Sequence, residues 1–219
     1  MGAVGLDLMN PGVPECGEEF CLPDFLVSSR IIDYFHPAVR EKARELAAGQ
    51  TGEVAIAERS FLFVRDEIRH SGDLRENPVT LCASEVLEHR TGFCYAKSHL
   101  LAALLRANNI PAGLCYQRLA YHEYNRPFCL HGLNAVYLRE YGWYRIDPRG
   151  NKPGVDARFS PPVECLAYGP GEPGEADLPG IYAEPFPEVV AVLTHCRDYN
   201  EVLRNLPGRE SSGENALSG

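Results

Sequence analysis

The chain has 219 residues, 45% of them apolar, which suits one sizeable hydrophobic core and is rather short for two full domains. Its 21 Lys and Arg against 30 Asp and Glu give a net charge of −9, which argues against nucleic acid or an anionic membrane as the main partner. No basic leader and no stretch of roughly 18 apolar residues is present in the sequence. We therefore expect a cytoplasmic protein with reduced thiols and no membrane partner.

Local composition predicts one domain with a flanking segment on each side. Residues 1–30 are rich in Pro and Gly without periodicity and are predicted to be an N-terminal arm, either extended or an edge strand. Residues 31–206 are predicted to form a single catalytic domain, and residues 207–219 a flexible tail.

Helical patterns dominate the first half of this domain. They combine apolar residues at spacings of three and four, a proline suited to a first helical position, and Gly, Asn or Pro as end signals. The first predicted helix begins at Pro37 and stops at Gly49, and the second runs from Val54 to Ile68 and ends at Ser71-Gly72. A short helix is predicted over residues 84–89. The last runs from Cys94 to Arg106, and Asn108, Asn109 and Pro111 end it.

Short β-prone runs separated by turn signals follow in the second half. The runs GLCYQRLAY, LNAVYL and GWYRID are predicted to be antiparallel strands. Residues 151–180 are rich in Pro and Gly and are expected to be irregular, whereas residues 187–206 are expected to form one last helix. Helices first and strands second indicate an α+β domain.

Cys94 is the cysteine whose surroundings suit a nucleophile. A thiol reacts as its thiolate, and a thiol pKa of roughly 8.5 falls at a helix N-terminus or beside an imidazolium. Of the eight cysteines, Cys94 alone follows a Gly-containing turn and precedes a long apolar helix. The same position offers backbone N–H groups to an oxyanion. A buried core cysteine that begins a helix is the alternative, and spacing alone leaves both open.

A base and a carboxylate follow at strand positions that bring them together. His131 begins one predicted strand and Asp147 ends the next, and the tight connection at 139–142 makes these strands a hairpin. Their side chains share a face only if this connection has an odd length or contains a bulge, and Gly142 favours that arrangement. With Leu133 opposite Asp147, His131 is the diagonal neighbour at roughly 7–8 Å between Cα atoms, which a carboxylate can bridge. We therefore predict a Cys94–His131–Asp147 triad.

The sequence TGFCYAKSHLLAALLRANNIPAG resembles the nucleophile helix of the transglutaminase-like superfamily, and HGLNAVYLREYGWYRIDPRGN resembles the family's His strand and GW…DP strand. The resemblance covers roughly residues 54–150. It implies a papain-like/transglutaminase-like α+β core for the domain over 31–206, with an N-terminal helical lobe whose nucleophile helix packs on an antiparallel sheet. It also implies the roles of nucleophile for Cys94, general acid/base for His131 and orienting group for Asp147.

Two positions depart from the family pattern. Leu133 stands where an aromatic residue is common, and Arg149 stands where Thr usually follows Asp-Pro. These positions lie near the family's substrate path, so the departures bear on the substrate more than on the triad. The second oxyanion donor is often an upstream side chain in the family, and the candidates here are His70 and Asn77.

Other side chains have weaker claims to a role. His99 lies five residues after Cys94 on the same helix and is expected to be packed or on a polar face. Cys129 and His131 could form half of a zinc site with Cys94 or His122, but ligand pairs at familiar spacings are missing. Further candidates for the cleft are the pair His122-Glu123, the cations Arg118, Arg126 and Arg149, and the aromatic residues Tyr116, Tyr121, Tyr124, Trp143 and Tyr144, which could equally be cross-strand packing.

Three functions remain open on this basis. The first is hydrolysis of an amide or peptide bond through a thioester acyl-enzyme. The second is a transferase that passes the acyl group to an amine, as transglutaminases or N-acyltransferases do, and the third is a non-catalytic relative that binds in the cleft. The expected partner is a peptide, protein or small amide substrate, with an amine acceptor in the transferase case. The mechanism requires no metal or organic cofactor, and the oligomeric state is left open.

Overall fold

Helices form the first half of the chain and an antiparallel sheet the second in the computed structural model, which describes residues 21–121 and 128–208. The α+β prediction is confirmed. The main sheet has the strand order β5-β4-β3-β6, and β1 pairs with β2 in parallel. The helices are α1 (Pro37–Ala47), α2 (Glu53–Glu67), α3 (Ser71–Leu74), α4 (Ala83–His89), α5 (Cys94–Ala107), α6 (Pro187–His195) and α7 (Tyr199–Arg204). The strands are β1 (Arg69–His70), β2 (Thr91–Gly92), β3 (Ala112–Ala120), β4 (Phe128–Leu138), β5 (Gly142–Ile146) and β6 (Ala176–Asp177).

Helix α5 lies at the centre of the fold. Every residue from Cys94 to Arg106 is buried, and α5 packs on β3 and β4 as well as on α1, α2 and α4. A helix that is apolar on most sides is stable only when it is enclosed, and burial of one leucine side chain contributes roughly 1.5–3 kcal/mol. The helix predicted from Cys94 to Arg106 is confirmed and extends one residue further, to Ala107.

The β4–β5 hairpin has the register predicted from the sequence. The two strands pair from Leu138 with Gly142 onward, in the register that sets Leu133 opposite Asp147. Gly142 opens β5 with a φ of +73°, a conformation that residues with a side chain rarely adopt. Because side chains alternate along a strand, this register puts His131 and Asp147 on one face of the sheet.

Ser71 and Gly72 begin a helix, so the prediction that they end one is wrong. Helix α2 already ends at Glu67, the chain continues through β1, and Ser71 is the first residue of α3. The cause is a contact between segments distant in sequence, because the buried hydroxyls of Ser71 and Thr91 lie 3.0 Å apart beside the β1–β2 pair. A local pattern contains no information about such a contact.

The single helix predicted over 187–206 is also wrong, because this segment forms α6 and α7. Asp198 lies between them and caps α7 by accepting the N–H of Glu201 at 2.9 Å. Asp is a strongly preferred N-cap residue, and this local hydrogen bond overrides the apolar periodicity that runs through the segment.

The described part of the N-terminal arm is neither extended nor a strand. Residues Leu22–Leu26 form a 3-10 helix, and the ring of Phe25 packs on the sheet with its centroid 4.9 Å from that of Trp143. Residues 1–20 of the arm and 209–219 of the tail lie outside the described residues, so both boundaries stay predictions. Over the described ranges, none of the helices combines the length and apolar character needed to cross a lipid bilayer.

Candidate active site

Cys94 is the first residue of α5 and lines a cavity of about 710 Å³. The residue is 8% exposed. The first N–H groups of an α-helix have no intrahelical partner. At α5 the side chain of the preceding residue, Phe93, does not cap them. These donors and the positive end of the helix dipole favour negative charge on a sulfur or oxygen atom beside Cys94.

His131 on β4 lies between Cys94 and a buried carboxylate. Its Nε2 is 2.7 Å from Oδ2 of Asp147, and Asp147 has no exposed surface. Cys94 is the other side-chain hydrogen-bond partner of the ring, which leaves Nδ1 for the thiol. The structure therefore brings the three predicted residues together in the order thiol, imidazole, carboxylate.

Asp147 is held by hydrogen bonds from two elements besides His131. Its carboxylate accepts the N–H of Arg149 at 3.1 Å and that of Ala167 at 3.2 Å. Burial alone would raise the pKa of Asp147, but the charge of His131 and these hydrogen bonds outweigh burial and lower it. Burial alone would lower the pKa of His131, whereas the charge and hydrogen bond of Asp147, together with those of Cys94, raise it. The arrangement thus favours an imidazolium beside Cys94.

Gly132 lets β4 approach the first turn of α5. A Cβ atom at this position would lie 2.8 Å from Cδ1 of Tyr95, closer than real Cβ contacts, and 3.2 Å from its Cα, which is tighter than most of them. Since Gly132 follows His131 and Tyr95 follows Cys94, this close backbone approach holds the imidazole against the thiol. The hydroxyl of Tyr95 also donates a hydrogen bond to the carbonyl of Leu130, which ties the same turn to β4.

The variant Gly132→Ala tests this close approach. The added methyl group is expected to push β4 away from α5, to lower the rate of Cys94 alkylation by about tenfold or more, and to reduce the free energy of unfolding by about 1–3 kcal/mol. Iodoacetamide labelling near neutral pH and urea unfolding measure the two effects. The matched control is Gly171→Ala, because a Cβ there meets nothing within 4 Å. Unchanged labelling in a folded Gly132→Ala protein would contradict the argument.

His70 contributes a neutral ring to the cavity wall. The β1–β2 pair sets His70 beside Gly92, two residues before Cys94. Its Nδ1 accepts the N–H of Asp73 at 3.2 Å, so the proton of the neutral ring is on Nε2. Burial, followed by the charge of Arg149, keeps the pKa of His70 well below its usual value. The ring therefore offers a hydrogen-bond donor rather than a charge.

The other candidates near the triad have structural partners. Asn77, the alternative oxyanion donor, accepts the N–H of Tyr199 at 2.9 Å and is not part of the cavity lining. Burial lowers the pKa of His99 to about 4, and its Nδ1 lies 2.9 Å from the carbonyl oxygen of Leu81. Cys129 lines the cavity, and burial raises its pKa to about 12. Within the described ranges, no group of three or more His, Cys, Asp and Glu residues is arranged to hold a metal ion.

The predicted aromatic wall is mostly core. Among its described members, Tyr121 lines the cavity. Tyr116 stacks on Phe186 with 4.1 Å between ring centroids, Tyr144 is buried, and Trp143 packs on the N-terminal 3-10 helix. The sequence candidates His122, Glu123, Tyr124 and Arg126 lie outside the described residues.

Arg149 reaches the cavity, whereas Arg118 donates to the carbonyl of Gly174 at 2.7 Å and does not line it. The guanidinium of Arg149 lies over the ring of Tyr168 at 5.4 Å, and Tyr168 meets the ring of His131 edge-on at 5.1 Å between centroids. Tyr168 was not among the cleft residues predicted from the sequence. It lies in the irregular stretch over 151–180, where no periodicity indicates which face a side chain occupies.

Lys97 is a second residue near the site that was not predicted from the sequence. It lies one turn after Cys94, is fully buried, and donates to the backbone carbonyls of Ile68 and Arg65, the latter at 3.3 Å. Burial lowers its pKa to about 7. Lys97 therefore ties the end of α2, just before His70, to the helix that carries Cys94. The signal in the sequence is a lysine inside a helix otherwise rich in Ala and Leu.

Comparison with known proteins gives a family over the segment that contains Cys94, His131 and Asp147. Residues 40–148 match the model of the transglutaminase-like superfamily. Among solved structures, a candidate cysteine protease from Cytophaga hutchinsonii is 20% identical, with a TM-score of 0.49, over 63% of this chain and 45% of that chain. The periplasmic domain of TgpA from Pseudomonas aeruginosa is 19% identical, with a TM-score of 0.43, over 57% of this chain and 45% of that one. The chain thus spans less than half the length of these two structures. The comparison with curated proteins gave no match.

Proposed function

This chain belongs to the transglutaminase-like superfamily, whose fold is that of thiol-dependent enzymes, and on that premise we propose that it is an acyl-transfer enzyme with Cys94, His131 and Asp147 as its catalytic triad. The proposed reaction is hydrolysis of an amide or peptide bond through a thioester. The observation that carries the proposal is the buried His131–Asp147 hydrogen bond of 2.7 Å, with Cys94 on the other side of the imidazole.

In the proposed mechanism, the thiolate of Cys94 attacks the carbonyl carbon of the amide and the C=O π electrons move to oxygen. The backbone N–H of Cys94 and the Nε2–H of His70 stabilise the oxyanion that forms. The intermediate then collapses with cleavage of the C–N bond, and the imidazolium of His131 gives its Nδ1 proton to the leaving nitrogen. An amine leaves, and a thioester on Cys94 remains.

The second half-reaction reverses the role of the imidazole. Neutral His131 takes a proton from water as the water oxygen attacks the thioester carbonyl, and cleavage of the C–S bond releases the acid and the thiolate. Asp147 keeps the ring oriented and stabilises the imidazolium throughout. Hydrolysis ranks above transfer to an amine because the cavity lining includes charged side chains, Asp73 and Lys152 among them, and a polar lining favours entry of the water that cleaves the thioester. A transferase must exclude that water.

Trapping the acyl-enzyme tests the proposal. The protein is mixed with an activated ester, quenched in acid at short times and analysed by intact and peptide mass spectrometry, with and without an added primary amine. We expect one acyl group on Cys94, none in Cys94→Ala, and an unchanged adduct in Cys165→Ala. Decay to the free acid supports the hydrolase, and conversion to the amide with the amine would favour the transferase. No adduct on Cys94 would contradict catalysis and favour a binding module.

The proposed reaction needs no cofactor, since the thiolate and then water supply the attacking electron pairs and the imidazole carries the proton in each half-reaction. It does need Cys94 as a free thiolate, which is consistent with the cytoplasmic, reducing compartment predicted from the sequence. The substrate class is an amide of a peptide, a protein or a small molecule, and an amine acceptor enters in the transferase alternative.

A further inference from the structure

The cavity beside Cys94 has two chemically different ends. One end is mostly apolar, with side chains from the ends of β3 and β4, and α7, which also contacts α3, adds Leu203 to the apolar lining. The other end is charged and is built by α3 and the chain after β5. The apolar end comprises Leu119, Ala120, Tyr121, Leu130, Leu203 and Leu206, and the charged end comprises Asp73, Arg75, Arg149 and Lys152.

At the charged end, three cations and one carboxylate line the cavity, and two of the cations bind that carboxylate. Asp73 accepts from both terminal nitrogens of Arg149, at 2.7 Å and 2.8 Å, and from Nζ of Lys152 at 2.9 Å. Burial alone would raise the pKa of Asp73, but its hydrogen bonds to these cations and their charges outweigh burial and lower it to about 2. Asp73 is therefore ionised and compensates about one of the three positive charges. An excess of positive charge is unusual in a chain with a net charge of −9.

Arg75 supplies a cation for which the described ranges, 21–121 and 128–208, show no counterion. It is exposed at the cavity rim, and among the described residues it makes no ion pair or side-chain hydrogen bond. Its backbone is left-handed, with a φ of +56°, and is fixed because the N–H groups of Arg75 and Glu76 both donate to the carbonyl of Ser71. A non-glycine residue in this conformation is held there by its surroundings at a cost. The chain thus fixes the origin of the Arg75 side chain at the rim.

The charged end is linked directly to the triad. The backbone N–H of Arg149 binds the carboxylate of Asp147, and its guanidinium covers Tyr168, which contacts His131 edge-on. The other carboxylate of the lining, Glu175, accepts the backbone N–H groups of Gly171 and Glu172 in the preceding loop and of Ala120 in β3, at 2.7–2.9 Å. Its charge is thus engaged by backbone donors.

Resting on the proposed function, we infer that this cleft selects amides and acyl donors that carry a carboxylate, which binds Arg75 and Lys152 at the charged end while an apolar group occupies the other end. Lys152 can turn to the substrate because Arg149 alone still holds Asp73 through two hydrogen bonds. A side-chain carboxylate and a free C-terminal carboxylate share this chemistry.

The test compares two alkylating reagents of similar size at Cys94. Iodoacetate carries a carboxylate and iodoacetamide does not, so the ratio of their rate constants reports the potential at the thiol without any assumed substrate. At low ionic strength we expect this ratio to fall about two- to threefold in Arg75→Gln and further in Arg75→Gln/Lys152→Met. The ratio should be unchanged in Arg59→Gln, which removes one positive charge from the surface of α2. About 0.5 M salt should remove most of the difference.

The two proposals fail in different ways in this experiment. If Cys94 reacts slowly with both reagents, the activated thiol of the proposed function is absent. If it reacts fast with both and the ratio is the same in all variants, the carboxylate site is refuted and the triad stands.

Protection by short peptides then separates the two sources of the carboxylate. The peptides are acetyl-Ala-Glu-Ala-amide, acetyl-Ala-Gln-Ala with a free C-terminus, and neutral acetyl-Ala-Gln-Ala-amide. Protection of Cys94 by the first supports an acidic side chain, and protection by the second supports a C-terminal carboxylate. Equal protection by all three would overturn the inference.

Discussion

Asn in place of Asp147 is expected to lower the rate of thioester formation and of turnover by about 10³- to 10⁴-fold. The carboxylate lies 2.7 Å from Nε2 of His131 and accepts two backbone N–H groups as well. The Asn amide can turn its NH₂ group toward Nε2 of His131, which then cannot carry its own proton. It can instead turn its oxygen toward Nε2, but this oxygen carries no negative charge. The imidazolium then loses its buried counterion, and the wrong tautomer is favoured.

The measurement is burst kinetics with the activated ester, followed by mass spectrometry of Cys94. Asp156→Asn is the matched control, because its carboxylate pairs with Arg158 at the surface. Circular dichroism and urea unfolding check that Asp147→Asn is folded, and iodoacetamide should still label Cys94 in it. A rate within about threefold of wild type would mean that another group orients His131.

Replacement of His131 by Ala is expected to lower the alkylation rate of Cys94 near pH 6 by about tenfold or more. An ordinary thiol with a pKa of about 8.5 is roughly 0.3% ionised at that pH, whereas a thiol paired with an imidazolium can be largely ionised. The lower intrinsic nucleophilicity of such a thiolate offsets part of this gain. His131 keeps its proton in this range because Asp147 raises its pKa above the usual value.

Peptide mapping after limited iodoacetamide treatment makes this measurement, and four other cysteines serve as internal references. Burial raises the pKa of Cys115 and Cys129 to about 12 and that of Cys82 to about 11, and it also raises the pKa of Cys196. These thiols should remain unlabelled in wild type and variant. His195→Ala, at an exposed position on α6, is the matched control. Equal labelling of Cys94 in wild type and His131→Ala would show that the imidazole does not activate the thiol.

The sequence was most informative where a local pattern determines the structure. The apolar character of α5, the Gly before Cys94 and the turn at Gly142 all lie within a few residues, and they were enough to predict the helix start and the hairpin. The register was predicted only for a connection of odd length or with a bulge. The register in turn predicted which side chains meet across β4 and β5. The roles of Cys94, His131 and Asp147 still rest on the proposal.

Contacts between distant segments account for most of what could not be predicted. Asp73 meets Arg149 across 76 positions, and Lys97 meets Ile68 across 29 positions, in both cases through side chains that a periodicity does not orient. Tyr168 reaches His131 from an irregular segment. Such residues follow from the tertiary arrangement, so of the charged end of the cavity only Arg149 was a candidate from the sequence, and Asp73, Arg75 and Lys152 were not predicted.

The hairpin register has a consequence for how this chain can vary in evolution. A change of one residue in the connection at 139–141 would shift β5 against β4 and turn Asp147 toward the opposite face of the sheet, away from His131. The core around α5 would survive such an insertion or deletion, and the site would not. The irregular stretch after Asn151 pairs with the sheet only over short segments, so it can gain or lose residues at far lower risk except around Ala167 and Tyr168, which contact Asp147 and His131. Length variation among close homologues should therefore collect in that stretch and avoid the β4–β5 turn.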